Sequence, residues 1–171
     1  VNPQPDIDRE KKEVAFTIFI DPGKRVYVRQ INIAGNTKTR DEVIRREFRQ
    51  MEGSWYDGKN IKLSRDRVDR LGFFTEVAVE TPEVPGTVDQ VDVNMKVVEK
   101  PTGNLMLGAG FSQSDKLLLS GSIEQQNFAG TGNDVSLNVN TSKRYRTVAI
   151  AQNNPYFTED GISRRYELFY R

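Results

Sequence analysis

The sequence contains no cysteine and no histidine among its 171 residues. Without cysteine there is no disulfide, no thiolate zinc site and no cysteine nucleophile. Without histidine the chain lacks the commonest general base and metal ligand, which excludes a serine triad and a two-histidine metal site. Its carboxylates form no pair whose spacing indicates catalysis. We therefore predict no enzyme activity, no metal site and no cofactor.

An excess of one charge and long apolar runs are also missing. Lys and Arg total 25 against 24 for Asp and Glu, so no charge excess indicates a nucleic-acid partner. The longest purely apolar runs are three or four residues, too short for a transmembrane helix. Residues 1–5 lack the pattern of a signal peptide, and the chain stops inside an apparent strand at 166–171. We expect the chain to be a piece of a larger protein.

The charges that are present are distributed unevenly. Residues 1–101 carry 36 charged side chains, whereas residues 102–171 carry 13. The second part instead holds 7 of the 13 glycines, together with many Ser, Asn and Gln residues. This shift predicts two segments that are built for different surroundings.

The first part has the pattern of a small α+β domain. Strands are predicted at 14–20, 26–33, 73–80 and 88–98, and helices at 39–53 and 59–71. The alternation of the second strand slips near residue 29, which indicates a bulge. From residue 26 to 99 the order is β-α-α-β-β, which predicts two helices on one face of a three-stranded sheet.

Local signals support both helices. Thr39 and Glu42 have the spacing of a capping box, and the first helix is expected to end at Gly53. Its predicted apolar stripe consists of Val43, Ile44, Phe48 and Met51. Gly72 follows the second helix at the position that requires a positive φ.

Beyond Pro101, apolar and polar residues alternate through four successive strands separated only by turns. The apolar positions are Leu105, Leu107, Leu117, Leu119, Ile123, Val135, Leu137, Val139, Val148 and Ile150. Such strands are typical of a transmembrane β-barrel, although a water-soluble β-sandwich shows a similar pattern strand by strand. Ser, Asn, Gln, Gly and Glu124 on the other face suit a wet lumen. Phe128, Tyr156 and Phe157 near the turns of one side suit an aromatic girdle.

The run Asn127–Gly132 is rich in glycine and invites a comparison with a phosphate-binding loop. It has no following helix and no P-loop lysine, so we interpret it as a hairpin turn with an aromatic anchor. Residues 154–157, Asn-Pro-Tyr-Phe, are likewise interpreted as a turn with interfacial aromatic residues.

Several collinear motifs together resemble the Omp85 family of outer-membrane proteins. They are the runs 25–29, 35–37, 45–53, 71–74 and 85–93, followed by Thr102-Gly103, residues 108–110, Asn127–Gly132 and residues 154–157. The resemblance covers essentially the whole chain. It implies that 24–100 is a POTRA domain, the fifth and membrane-proximal one, and that 1–23 ends the preceding domain. Residues 101–171 would be the first four strands, and the start of the fifth, of a 16-stranded β-barrel.

The function implied by this resemblance is that of the central subunit of the outer-membrane β-barrel assembly machinery. Such a subunit folds and inserts outer-membrane proteins without ATP, through a lateral gate at its first barrel strand. The expected gate residues are Gly103, Asn104, Leu105, Met106, Leu107, Gly108, Ala109 and Gly110. A glycine-rich strand pairs weakly, which would allow sideways opening, but its glycines could also only make room inside the lumen. The implied location is the bacterial outer membrane, with the POTRA part in the periplasm.

The family also implies partners. These are the lipoprotein BamD and other outer-membrane lipoprotein subunits, unfolded outer-membrane protein substrates, and the lipid bilayer itself. Arg45, Arg49 and Glu52 are the expected docking residues for the lipoprotein, and the alternative is a solvated helix face. Two other functions stay open. One is an Omp85-type polypeptide exporter, such as a two-partner secretion translocator, and the other is a soluble β-sandwich binding module.

Overall fold

The computed structural model describes residues 2–8, 13–19, 25–113, 116–143 and 145–171. Two strands, β1 (Asn2–Asp8) and β2 (Glu13–Phe19), pair antiparallel at the start of the chain. The strand predicted at 14–20 therefore corresponds to β2, and its last residue lies outside the described ranges. The turn expected at Pro22-Gly23 lies outside them as well.

The next segment folds as the predicted β-α-α-β-β unit. Its elements are β3 (Tyr27–Ala34), α1 (Asp41–Arg45), α2 (Gly58–Arg70), β4 (Phe74–Glu80) and β5 (Gln90–Glu99). The sheet order is β3-β5-β4, with β3 parallel and β4 antiparallel to the central strand. The register of β3 shifts between Val28 and Gln30, which confirms the predicted bulge.

The buried core of this unit is made by apolar residues that recur with the period of a strand or of a helix. Alternate residues of β5 are buried because they face the helices. They meet apolar side chains from both helices and β3; the buried cluster comprises Val28, Ile31, Val43, Ile44, Phe48, Ile61, Val68, Phe73, Phe74, Val91, Val93, Met95 and Val97. Asp57 caps α2 by accepting a hydrogen bond from the Lys59 N–H at 2.8 Å, and Gly72 has the expected positive φ of 73°.

The first helix is the main error in the sequence-based fold. It spans only Asp41–Arg45, its N-cap residue is Arg40, and no side chain caps it. The predicted capping box is wrong because Thr39 uses its hydroxyl in a tertiary hydrogen bond with Asn127. Met51 is 61% exposed, so it does not belong to the buried stripe. Instead, the buried amide of Gln50 organises the following loop through hydrogen bonds with Ser54, Trp55 and Asp57.

Residues from 103 onward form a five-stranded antiparallel meander. Its strands are β6 (Gly103–Ser112), β7 (Lys116–Gln125), β8 (Asp134–Thr141), β9 (Arg146–Asn154) and β10 (Arg164–Tyr170), in the order β10-β9-β8-β7-β6. A single 3-10 turn, Phe128–Gly130, lies between β7 and β8. No helix within the described ranges is both long and apolar enough to cross a membrane.

Candidate functional site

The first feature of functional interest is the outer edge of β6. Within the described residues β6 pairs only with β7, so the opposite side of its backbone is unpaired. All eight predicted gate residues, from Gly103 to Gly110, lie on this strand and are exposed. A Cβ at Gly103 would lie 2.7 Å from the Gln125 side chain, and one at Gly108 would lie 2.5 Å from the Ser120 hydroxyl. These two glycines therefore also make room for neighbouring side chains.

The second feature is the division of the five-stranded sheet into two chemically different faces. The register aligns Leu105 with Ile123, then Leu137, then Ile150, so their side chains share one face. The other six predicted lipid-facing residues have the same parity and lie on that face too. Leu107 there is 80% exposed, since no second layer of the described residues covers it.

The opposite face of the sheet is polar. It carries Ser122, Glu124, Ser136 and Asn138, the residue types expected for a wet lumen. A cavity of about 330 Å³ opens on this face, and Asp134 and Arg165 also line it.

The third feature was not predicted: the turn after β7 packs against the first domain. The Arg40 N–H donates to the Gly130 carbonyl at 3.0 Å, and the Asn127 amide donates to the Thr39 hydroxyl at 2.8 Å. Gly130 has a φ of 73°, and a Cβ there would lie 1.9 Å from the Lys38 carbonyl oxygen. Only glycine fits such a close approach of two backbones.

The turn after β9 reaches the same domain through Tyr156. Its hydroxyl accepts a hydrogen bond from Arg67 at 3.2 Å, and the Arg46 guanidinium lies 4.2 Å from the centre of its ring. Arg67 in turn pairs with the buried carboxylate of Glu47 at 2.7 Å. Burial and a hydrogen bond with Glu47 raise the pKa of Tyr156, while Arg67 opposes the rise. Tyr156 therefore packs on a protein domain rather than serving only as the interfacial aromatic that the sequence suggested.

Glu99, at the end of β5, holds the loop that receives these turns. Its carboxylate accepts hydrogen bonds from the Thr39 N–H at 2.6 Å, the Lys38 N–H at 3.0 Å and the Thr37 hydroxyl at 2.8 Å. Burial opposes ionisation of Glu99, but a side-chain hydrogen bond with Thr39 and the three donors just named outweigh it and lower the pKa of Glu99 to about 2. The loop is therefore fixed by an ionised carboxylate.

Of the residues predicted to dock a lipoprotein, Arg45 and Glu52 lie together beside β3, whereas Arg49 contacts the segment after α1. Glu52 accepts the Ile31 N–H at 2.8 Å and lies 3.4 Å from Arg45, which also pairs with Asp41 at 2.8 Å. Arg49 donates to the carbonyl oxygens of Arg46 and Phe48. All three side chains are exposed, so the local hydrogen bonds leave them accessible to a partner.

Sequence reasoning missed the contacts between the two segments. Thr39 had a local explanation as a helix cap, and Tyr156 had one as an interfacial aromatic. The available signal was the unusual composition of the two turns, which combine glycine, asparagine and aromatic residues on the same side of the sheet.

Comparisons with known proteins agree with this architecture. Residues 26–100 match the family model described as POTRA, surface antigen variable number repeat. Residues 26–100 are therefore a POTRA domain, and a five-stranded antiparallel sheet follows it. The chain is 41% identical over 169 residues to outer membrane protein assembly factor BamA of Neisseria meningitidis serogroup B, covering 99% of this chain and 21% of that protein. It is 28% identical to BamA of Buchnera aphidicola over 166 residues, or 97% of this chain and 27% of that protein.

A solved structure supports the same assignment. The crystal structure of BamA from Haemophilus ducreyi lacking POTRA domains 1–3 matches 99% of this chain, with a TM-score of 0.87 and 36% identity. The chain covers 32% of that structure. Over nearly its whole length the chain is therefore similar to BamA proteins in sequence and in fold, and it spans only about a fifth of the length of the Neisseria relative.

Proposed function

We propose that this chain is part of the central subunit of an outer-membrane β-barrel assembly machinery, which folds and inserts outer-membrane proteins without ATP. The observation that carries the proposal is the edge of β6, which pairs with no strand of the described residues other than β7, on a sheet that exposes one apolar face. In this proposal the edge of β6 is the lateral gate, and the apolar face contacts lipid.

The physical argument concerns the backbone of an entering strand. In hydrocarbon, each unpaired N–H or C=O group costs several kcal/mol, so a lone strand meets a high barrier. An available strand edge supplies partners for these groups one after another and thereby lowers the barrier. Three glycines in β6, at 103, 108 and 110, weaken its own order by roughly 0.5–1 kcal/mol each relative to alanine. A weakly ordered strand exchanges its pairing partner more readily.

The strand lengths support placement in a bilayer. A tilted strand needs roughly 9–11 residues to cross; β6 and β7 have 10 each and β9 has 9, whereas β8 has 8 and β10 has 7. We propose that residues 101–171 are the first four strands and the start of the fifth of a 16-stranded barrel. In this proposal the side of the sheet with the two turns that contact the POTRA domain is the periplasmic side, and residues 24–100 lie in the periplasm beneath the outer membrane.

The POTRA domain is proposed to bind the lipoprotein BamD through Arg45, Arg49 and Glu52, and other outer-membrane lipoprotein subunits would join the assembly. Support comes from the exposed side chains of opposite charge that lie close together. Such a surface suits a charged partner surface.

A disulfide lock tests the lateral gate. One cysteine is introduced in β6, where the chain has none, and a second one in the strand that closes against β6 in the intact protein. We expect oxidation to abolish insertion of substrate and a reductant to restore it. The control is a cysteine pair at Met106 and Ser122, which already face each other across β6 and β7. Normal insertion with the closing strand locked would contradict the proposal.

A further inference from the structure

The POTRA domain and the five-stranded sheet meet at three separate places. The linker into β6 is held by a hydrogen bond from the Lys100 N–H to Phe73 and by one from Gln126 to Thr102. The turn after β7 contacts the loop before α1, and the turn after β9 contacts Arg46, directly after α1, and Arg67 in α2. Since three points that are not in line fix the orientation of a rigid body, these contacts can determine how the POTRA domain lies beneath the sheet.

The contact at Tyr156 is built from buried charge. The Glu47 side chain is 5% exposed and pairs with Arg67, which also donates to the Tyr156 hydroxyl. The Nε and Nη2 atoms of Arg46 are buried and have no hydrogen-bond partner among the described residues. A buried cation without such partners is unfavourable, and the face of the Tyr156 ring at 4.2 Å is the compensation present here. Tyr156 therefore has both a ring contact and a hydroxyl contact with the POTRA domain.

The contact at Asn127 holds a strained turn. Asn127 and Ala129 have φ values of 51° and 52°, in the left-handed region, which asparagine tolerates but which is unfavourable for alanine. The Asn127 side chain accepts the Gly132 N–H at 2.8 Å within the turn and donates to Thr39 across the junction. The same side chain thus stabilises the strained turn and attaches it to the POTRA domain.

We infer that these two turns form an interdomain latch, made by Tyr156 with Arg46, Glu47 and Arg67 and by Asn127 with Thr39. The latch holds the POTRA domain beneath strands β7 to β10 and leaves the edge of β6 uncovered. Tyr156 and Asn127 are then positioning residues, because they act through the orientation of the POTRA domain. The consequence for insertion rests on the proposed function, whereas the orientation itself does not.

Spin-label distance measurements test the latch. One label is placed at Asp69 on α2 and the other at Lys143 in the opposite turn, both exposed, in the intact protein in membranes, with any cysteine elsewhere in that protein replaced. We expect one narrow distance distribution for the otherwise unchanged protein. Tyr156→Ala should broaden or shift it. Tyr156→Phe, which keeps the ring over Arg46, should restore most of the original distribution. A matched control is Phe157→Ala, since the Phe157 ring packs against Arg164 of β10, with the guanidinium 3.8 Å from the ring centre, and has no ring or hydrogen-bond contact with Arg46 or Arg67 among the described residues.

Hydrogen exchange adds a measurement that does not require a large substitution. Thr39→Val keeps the size of the side chain but removes the acceptor for Asn127. We expect exchange of the Arg40 amide, which donates to Gly130, to accelerate about tenfold, while exchange in the centre of β5 stays unchanged. This variant keeps the test decisive even where Tyr156→Ala prevents folding.

Unchanged distances in Tyr156→Ala together with unchanged exchange in Thr39→Val would overturn the latch. An equal broadening in Phe157→Ala would also overturn it, because the effect would then not depend on the POTRA contact. Neither readout depends on insertion of a substrate. The latch can therefore fail while the proposed gate stands, and the gate can fail the disulfide test while the latch stands.

Discussion

At the scale of single residues, Glu99 shows how one carboxylate determines a junction. It ends the central strand of the POTRA sheet and accepts hydrogen bonds from three successive residues, Thr37, Lys38 and Thr39. Those residues form the loop on which the turn after β7 rests. The sequence of this loop does not indicate its hydrogen bonds with Glu99, because Glu99 is 60 residues from Thr39 in the sequence.

The lowered pKa of Glu99 predicts a pH dependence. A carboxyl whose pKa is about 2 in the folded protein and 4.5 ordinarily contributes stability above pH 4.5. That contribution is lost as the pH falls from about 4.5 to 2. Glu99→Gln should lower the free energy of unfolding at neutral pH by roughly 1–2 kcal/mol and flatten its decline across this window. Denaturant titrations of the POTRA domain at several pH values measure both effects. The control is the exposed Glu76→Gln, and an unchanged pH profile in Glu99→Gln would contradict the prediction.

Charge reversal at Arg45 or Glu52 tests the proposed lipoprotein surface. We expect Arg45→Glu or Glu52→Lys to reduce co-purification of the lipoprotein by at least about tenfold. The reversed charge would repel the group on the lipoprotein that the original side chain attracts. Glu52→Gln separates the two roles of this residue, since it keeps an acceptor for the Ile31 N–H but removes the charge. Arg65→Glu on α2 is the matched control. Equal recovery of the lipoprotein with all variants would show that these residues form only a solvated surface.

At the scale of elements, the sequence predicted strands and α2 well and α1 poorly. Strand alternation and the Asp57 and Gly72 signals of α2 are local, so they can be recognised without knowledge of the tertiary structure. The first helix was overextended because Thr39 and Met51 have residue types that suit a helix. Thr39 is instead used by Glu99 and Asn127, which are distant in sequence.

The two faces of the five-stranded sheet give a direct prediction. Arginine in place of Leu107, Leu119 or Leu137 should destabilise the folded protein in a bilayer by roughly 2–4 kcal/mol at mid-membrane depth. Arginine at Ser122 or Asn138, which lie on the polar face, should lower the stability of the folded protein much less. Urea titration in lipid vesicles compares the two groups. Equal costs would show that the faces have been assigned wrongly.

At the scale of the whole molecule, the two folding units were predictable and their junction was not. Helical and strand patterns are mixed before Pro101, whereas only strand alternation follows it, so the boundary can be recognised from the sequence. The junction depends on pairs such as Thr39 with Asn127 and Arg67 with Tyr156, separated by 88 and 89 residues. Each of these residues had a sufficient local explanation, and only the folded arrangement brings them together.

Accessibility of spin labels along β6 to β9 tests the central claim, that lipid contacts the apolar face of the sheet, most directly. Spin labels are placed on both faces, and their collision rates with two reagents are measured in the membrane-embedded protein. The apolar face is labelled at Leu107, Leu137 and Ile150, and the polar face at Ser122 and Asn138. The account predicts high collision rates with oxygen, which concentrates in lipid, for the first group, and with a water-soluble nickel reagent for the second. High nickel accessibility on both faces, or protection of the leucine positions from both reagents, would contradict it.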